Sequence, residues 1–394
     1  MNPKRRRSPS TTDRLQLGCT LTQYDAVMET PDDPAVIFRD VWGDNPPTSL
    51  LDMPILAQQA GVAKVLVKAE NERPLGNFKS LGGTVASLRA LARVRTPPIP
   101  LSALRDCGHA GRLPRLLCAS DGNHGLAVAS AARYARTTAA VYLPAGASKS
   151  RAARIEATGA RVRWVSGTYD DAVLEAAKAA ANGEGLLVPD TSADQSDQVV
   201  RDVLDGYSVL TREIVAQMRH QGLDGPSHVF VQAGVGGLAA AMAIGLRNIL
   251  QEPRALIIVE PSTAACLTLA LVQGHPQRLG GDLQTCAEML SCGLASASAV
   301  DILRPFHPIS LLVNEEELAA APARLFAAGG PATTPSGAAG IAGFLHAATR
   351  SATPGTIQLN ERSVVLLVAT EGPLADKRTT DTVGGWPPIA SVYG

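Results

Sequence analysis

Leu75-Gly76-Asn77-Phe78-Lys79-Ser80-Leu81-Gly82-Gly83 sets a single lysine between an aromatic and a small residue, with a Gly-Gly pair three positions on. A lysine buried against apolar groups there loses the advantage of its ammonium form and becomes available as nucleophile and base. Taken alone, the stretch also suits a surface lysine near a turn. Its flanks are more informative. Ala63 to Glu70 reads as a strand, and Gly83 to Val94 as an Ala-rich helix. The first unit is therefore a strand, a turn carrying chemistry, and a helix.

The same rhythm continues along the chain. Leu116 to Ala119 is a short apolar strand, followed by a helix from Leu126 to Arg136 and a strand from Ala139 to Leu143. Ser148 to Ala157 is helical, Arg161 to Val165 a strand, and Asp170 to Ala181 a helix. Further on come a helix from Tyr207 to Arg219, a strand from His228 to Gln232, a helix from Leu238 to Leu250, and strands at Ala255 to Glu260 and Val364 to Thr370. Alternating strands and helices with short connections predict an α/β fold, a parallel sheet covered by helices. Asp33 to Ser49 is rich in Pro, Asp and Gly and reads as an irregular lead-in. Ser49 to Ala60 reads as a helix closed by Gly61, and Thr96 to Pro114 as a loop. No element is assigned between Glu260 and Val364.

Two turns meet the physical requirements of ligand sites. Ala233-Gly234-Val235-Gly236-Gly237 follows a strand and opens a helix, so backbone N–H groups and the helix's positive end converge as in a phosphate cradle. The dinucleotide pattern G-x-G-x-x-G is incomplete, since Ala239 stands at its third glycine, and no Gly-Lys-Ser/Thr follows. A single phosphate group fits better, with a structural tight turn as the alternative. Ser120-Asp121-Gly122-Asn123-His124-Gly125 lies at another strand-to-helix junction. It offers a hydroxyl and N–H groups for a carboxylate, an Asn amide for a phenolate or hydroxyl, and an acid in Asp121. The alternative there is an N-cap with local Asx turns. His124 reads as a structural donor.

A reactive lysine, an Asn-bearing loop and a glycine loop, in that order on an α/β chain, resemble the fold type II family of pyridoxal 5′-phosphate enzymes, and most nearly its diaminopropionate ammonia-lyase branch. The resemblance runs from about Pro47 to Gly372. It includes Tyr169-Asp170-Asp171-Ala172-Val173, Val188-Pro189-Asp190-Thr191-Ser192, Gly206-Tyr207, Val259-Glu260-Pro261 and Thr370-Glu371-Gly372. It implies that Lys79 carries the cofactor as a Schiff base, with Phe78 and Asn123 near the ring and Gly234, Val235, Gly236 and Gly237 on the phosphate. Ser120, Asp121 and Gly122 would receive the substrate carboxylate, with Asp121 and Asp190 beside the amino-acid carbons and available for catalysis. Gly76-Asn77, Thr334-Pro335-Ser336-Gly337 and Pro373-Leu374 depart from the family's usual residues. Ser336 and Thr370 therefore become the candidates for the pyridine nitrogen.

The fold so implied has two domains, with the active site between them. Residues 31–88 plus 206–394 would form the large domain and residues 89–205 a smaller inserted one, after a disordered tail over 1–30. The implied reaction is α,β-elimination from an amino acid, 2,3-diaminopropionate giving pyruvate and ammonia. Alternatives are a serine or threonine dehydratase, a β-replacement synthase, a cofactor-binding protein without turnover, and a nicotinamide-dependent oxidoreductase. Two acids disfavour a neutral hydroxyl substrate.

Composition excludes several partners. The 394 residues hold 36 Lys plus Arg against 36 Asp plus Glu, so no global field favours nucleic acid or an anionic membrane. No apolar run is long enough to cross a bilayer. Lys4-Arg5-Arg6-Arg7 is not followed by the apolar segment of a secretory signal. The six cysteines form no C-x-x-C pair, so Cys286 and Cys292 read as buried small hydrophobes and no metal is expected. A cytoplasmic homodimer acting on a small amino acid is the resulting expectation.

Overall fold

A computed structural model describes residues 30–349 and 357–373. The amino-terminal tail, Cys19 and Leu374 lie outside the described residues. The strands are β1 (Leu50–Asp52), β2 (Lys64–Ala69), β3 (Leu116–Ala119), β4 (Ala139–Pro144), β5 (Arg161–Val165) and β6 (Leu186–Leu187), then β7 (His228–Gln232), β8 (Ala255–Pro261), β9 (Ile309–Val313) and β10 (Val364–Ala369). They form a six-stranded sheet in the order β1-β2-β10-β7-β8-β9 and a four-stranded sheet in the order β5-β4-β3-β6. Every pairing is parallel except β1 with β2.

The apolar runs are continuous because both faces of the large sheet are covered. Leu66, Val229, Val231, Leu256, Ile258, Leu366 and Val368 point into one core, which continues through the small sheet. Their neighbours Val65, Val67, Phe230, Ile257, Val259, Val365 and Leu367 point into a second core on the opposite face. A strand buried on both faces shows no polar alternation, which is why short Val/Ile/Leu runs mark a parallel sheet.

Helix Lys79–Ala92 packs against helix Gln198–His220 at a pair of glycines. A Cβ on Gly82 would lie 2.7 Å from the Val203 carbonyl oxygen, and one on Gly206 would lie 2.7 Å from Gly82 Cα. The two backbones therefore touch directly. Arg89 ties the same helices through Asp205 (2.6 Å) and Asp202 (3.3 Å).

Several local expectations are corrected. Asp33-Pro34 is not a breaker: the Asp33 side chain accepts the Ala35 N–H and Pro34 occupies the first turn of helix Pro34–Trp42, where proline needs no N–H partner. Residues 50–52 pair with β2 as a strand, and the helix after them covers only Pro54–Ala60, ending at Gly61 with φ 64°. Residues 104–109 of the supposed loop are helical. The stretch from Glu260 to Val364 contains β9, a helix Glu315–Ala327 started by a reciprocal Asn314/Glu317 cap, and a helix Ala339–Thr349. Cys292 is buried, but Cys286 is exposed.

Gly206→Ala is expected to cost roughly 1–3 kcal/mol, the range for forcing extra volume into a packed contact. Urea denaturation of the cofactor-free protein measures this. An unchanged midpoint would mean that the helices separate without penalty.

Candidate active site

Loops leaving the carboxyl ends of parallel strands build one cavity, the usual ligand position in such sheets. Strand β3 runs into Ser120–Gly122 and helix Asn123–Tyr134; β7 runs into Ala233–Gly236 and helix Gly237–Leu246; β10 runs into Thr370–Gly372. The Lys79 turn is pinned to the last of these. Phe78 N–H donates to the Thr370 carbonyl (3.2 Å), Gly372 N–H donates to the Gly76 carbonyl (2.9 Å), and Asn77 forms an antiparallel bridge with Glu371. Phe78, Lys79, Ser120, Asp121, Asn123 and Asp190 line the cavity together with Gly234, Val235, Gly236, Gly237, Ser336 and Thr370. Gly122 is not in the lining; it lies under the side chain of Arg151.

Lys79 Nζ donates to Asp190 Oδ2 at 2.6 Å, and Tyr169 donates its hydroxyl to Asp190 Oδ1 at 2.6 Å. Burial pulls the Lys79 pKa down, but the adjacent Asp190 charge outweighs it and the ammonium is stabilised. This corrects the expectation of a lysine neutralised by apolar surroundings. Asp190 moves oppositely: burial opposes its ionisation, and Lys79 more than reverses that, so it stays a carboxylate. Asp121 has no such partner. Burial, reinforced by the Asp190 charge, pushes its pKa up to about 8.

The remaining polar groups are held in the framework. Ser120 Oγ accepts the N–H groups of Gly122 and Gly125, each at 2.8 Å, so its acceptor capacity is used inside its own loop. His124 Nε2 bonds the Val188 carbonyl (2.9 Å), and burial lowers its pKa, so the ring is a neutral donor. Gln232 Nε2 donates to the Thr370 hydroxyl (3.1 Å) and lies close to three backbone carbonyls. Ser336 Oγ accepts the Met289 N–H (3.1 Å).

Residues 41–370 match the family model described as "Pyridoxal-phosphate dependent enzyme". The chain belongs to this family. It is 32% identical over 352 residues to diaminopropionate ammonia-lyase of Escherichia coli strain K12, covering 86% of this chain and 87% of that one. It is also 27% identical over 274 residues to the human serine dehydratase-like protein, covering 70% and 74%. Among solved structures, E. coli diaminopropionate ammonia-lyase in complex with D-serine superposes with a TM-score of 0.76 at 28% identity, covering 87% of this chain and 89% of that chain. The same enzyme in complex with an aminoacrylate-PLP azomethine reaction intermediate gives 0.73 at 28% identity, covering 88% and 89%.

Pyridoxal phosphate is thus the cofactor, and the cavity fits it. Gly236 takes φ +99°, a conformation side chains resist, and no side chain caps the ten-residue helix that begins at Gly237. A Cβ on Gly234 would lie 3.0 Å from Cys292 Sγ, so only glycine leaves the backbone open here. The cradle, a cavity-facing lysine and the flanking Phe78 meet the needs of a phosphate, an aldehyde and a ring.

Sequence reasoning missed Arg151, whose guanidinium meets Glu371 at 3.2 Å, and it missed Met289, Leu290 and Cys292 in the lining. The last three come from residues 274–296, where the only regular turn is 288–290 and no periodicity announces a role. The same run borders an outer cleft lined by Asp121, Asp282, Glu288 and Glu315 and, among the described residues, by no Lys or Arg. Among the described residues no cluster could hold a metal ion, and no helix is long and apolar enough to cross a membrane.

Asp121 supplies a pH test. Its folded pKa of about 8 lies above its ordinary 3.8, so the folded chain binds this proton more tightly than the unfolded one. The stability it contributes is full below pH 4 and is lost as pH rises towards 8. Asp121→Asn should therefore raise the thermal midpoint of the cofactor-free protein at pH 8 and change it little at pH 4.5. Equal shifts at both pH values would contradict the assignment.

Proposed function

We propose that the chain catalyses α,β-elimination from an amino acid bearing a second amino group, 2,3-diaminopropionate, to pyruvate and ammonia. The observation that carries this reading is the outer cleft, which shares Asp121, Tyr169 and Met289 with the cavity and is lined by Asp282, Glu288 and Glu315, while inside Asp190 is ionised beside Lys79 and Asp121 keeps its proton up to about pH 8. Environments that push two acids apart assign them different roles. The likeness to diaminopropionate ammonia-lyase supports the same substrate class.

Bound pyridoxal phosphate withdraws electrons from the substrate Cα and makes its proton acidic. Lys79 holds or moves a proton at Nζ on one side of that carbon, with Asp190 as its counter-charge and Tyr169 fixing the second Asp190 oxygen. Asp121 keeps a proton on its carboxyl and can give it to the uncharged β-amine, so that the C–N bond breaks with ammonia as the leaving group and Asp121 is left as a carboxylate. Phe78, packed on Tyr207 with ring centroids 5.0 Å apart, offers an apolar wall to the ring. Asn123, Ser336 and Thr370 offer hydrogen bonds around the ring, and Gly234 to Gly237 hold the phosphate. Of the Ser120 to Gly122 loop, Ser120 and Asp121 face the cavity and would take the substrate carboxylate, through the Ser120 hydroxyl hydrogen and the Asp121 N–H, while Gly122 lies outside the lining. The protein would work as a cytoplasmic homodimer, with residues 89–205 as the smaller domain against 31–88 plus 206–394.

Pyruvate release from L- and D-2,3-diaminopropionate, with L-serine and L-threonine alongside, tests the substrate. Release from diaminopropionate alone is expected; release from serine or threonine alone would favour a dehydratase. Lys79→Ala should lose both the visible absorbance of the bound cofactor and turnover, and retained turnover would remove the role given to Lys79. Asp121→Asn should lose more kcat/KM on diaminopropionate than on serine, whereas Asp190→Asn should lose it on both, since Lys79 serves the Cα step common to the two. Equal losses for Asp121→Asn would remove the role given to Asp121 at the β-nitrogen.

A further inference from the structure

Asn123 is held by charged partners at both ends of its amide. Its Nδ2 donates to Glu371 Oε2 through a short hydrogen bond, and its Oδ1 accepts from Arg151 Nη1 at 3.4 Å. A carboxylate has no hydrogen to give and a guanidinium has no lone pair to accept with, so the amide has one permitted orientation. Turning it over would set oxygen against oxygen and NH₂ against NH₂. One Nδ2 hydrogen goes to Glu371, which leaves the other for the cavity that Asn123 lines.

The partners are themselves fixed. Glu371 also accepts from both terminal nitrogens of Arg151 (3.2 and 3.3 Å) and from the Thr334 hydroxyl, and its side chain is 5% exposed. Arg151 reaches it by crossing Gly122, where a Cβ would stand 2.7 Å from Arg151 Cδ and the backbone takes φ +144°. Arg151 comes from a helix on the small sheet, whereas Glu371 follows the last strand of the large one. The amide of Asn123 is thus oriented only when the two sheets are assembled.

We propose that Glu371 and Arg151 are positioning residues that hold the Asn123 amide with an N–H presented to the cavity, as donor to the phenolate oxygen of the cofactor ring. This rests on the cofactor placement given above. It goes further by naming two residues, outside the expected site set, that decide whether position 123 offers a donor or an acceptor. A donor favours the ionised ring oxygen, so the protonation balance of the bound cofactor reports the orientation.

The experiment is a double-mutant cycle on the reconstituted protein, read by the ratio of the visible to the near-ultraviolet cofactor band across pH. Glu371→Gln should lower this ratio about tenfold at its midpoint, the worth of a good hydrogen bond. The same substitution made on an Asn123→Ala background should leave the ratio unchanged, because a residue acting through Asn123 has nothing left to act on. Arg151→Lys, which keeps the charge but not the paired contact, should move the ratio in the same direction and also fall silent without Asn123. It serves in place of Glu371→Gln if that variant does not fold. Equal shifts with and without Asn123, or no shift in either, would overturn the proposal. Absence of any Lys79-dependent band in the wild type would instead remove the cofactor placement itself, and the proposal with it.

Discussion

The part-buried contact between Lys79 and Asp190 is the constraint on which the site depends. Lys79 begins a helix that follows the large sheet, and Asp190 follows the last strand of the small one, so their 2.6 Å separation fixes the two sheets relative to one another. Removing charges from water is costly, and a buried pair is tolerated only with good geometry and further hydrogen bonds. Tyr169 supplies one of those on the Asp190 side. Asp121 keeps its proton chiefly because it is buried, and the Asp190 charge beside it adds to that effect and outweighs the pull of Arg151 and Lys79. The pairing thus sets two protonation states and contributes to a third.

Bringing these groups together falls to the backbone. The contact at Gly82 and Gly206 lets the lysine-bearing helix lie close against helix Gln198–His220. The bridge between Asn77 and Glu371 ties the turn before Lys79 to the end of β10. Arg154 adds a further tie, donating to the Leu75 carbonyl at 2.7 Å, so the small-sheet side grips the same turn. The base of the site is cross-linked by these hydrogen bonds, and its rim is irregular where residues 274–296 border it.

Much of the architecture was legible because it rests on local signals. Continuous apolar strands ending in Ser120 or Gly234 mark the ligand end of the sheets, and Gly61 closes its helix as a left-handed cap. What escaped is non-local. The charge state of Lys79 depends on a partner more than a hundred residues away in sequence, which no local reading of Phe-Lys-Ser supplies. Arg151 sits in an unremarkable polar helix, and only the fold carries it over Gly122 to Glu371. Strand β9 is half exposed, with Ile309 and Leu312 facing solvent, so its pattern is weak. Asp33-Pro34 was misread for a different reason: the same pair that starts a helix also populates turns. The Asn314/Glu317 cap, by contrast, was a local signal in plain sight.

The position of β10 governs how the molecule can be made. It lies inside the large sheet, between β2 and β7, and Val364 pairs with Lys64, 300 residues apart in sequence. The small sheet draws all its strands from Leu116 to Leu187, so it can close early from nearby sequence. The large sheet stays split until β10 arrives, with the apolar edges of β2 and β7 unpaired and the Lys79 turn without its anchor at Glu371. Long-range parallel pairing of this kind is slow and exposes sticky edges while it waits. Completion of the large sheet and of the pocket therefore waits on the same strand, because β10 both closes the gap between β2 and β7 and carries Glu371 to the Lys79 turn.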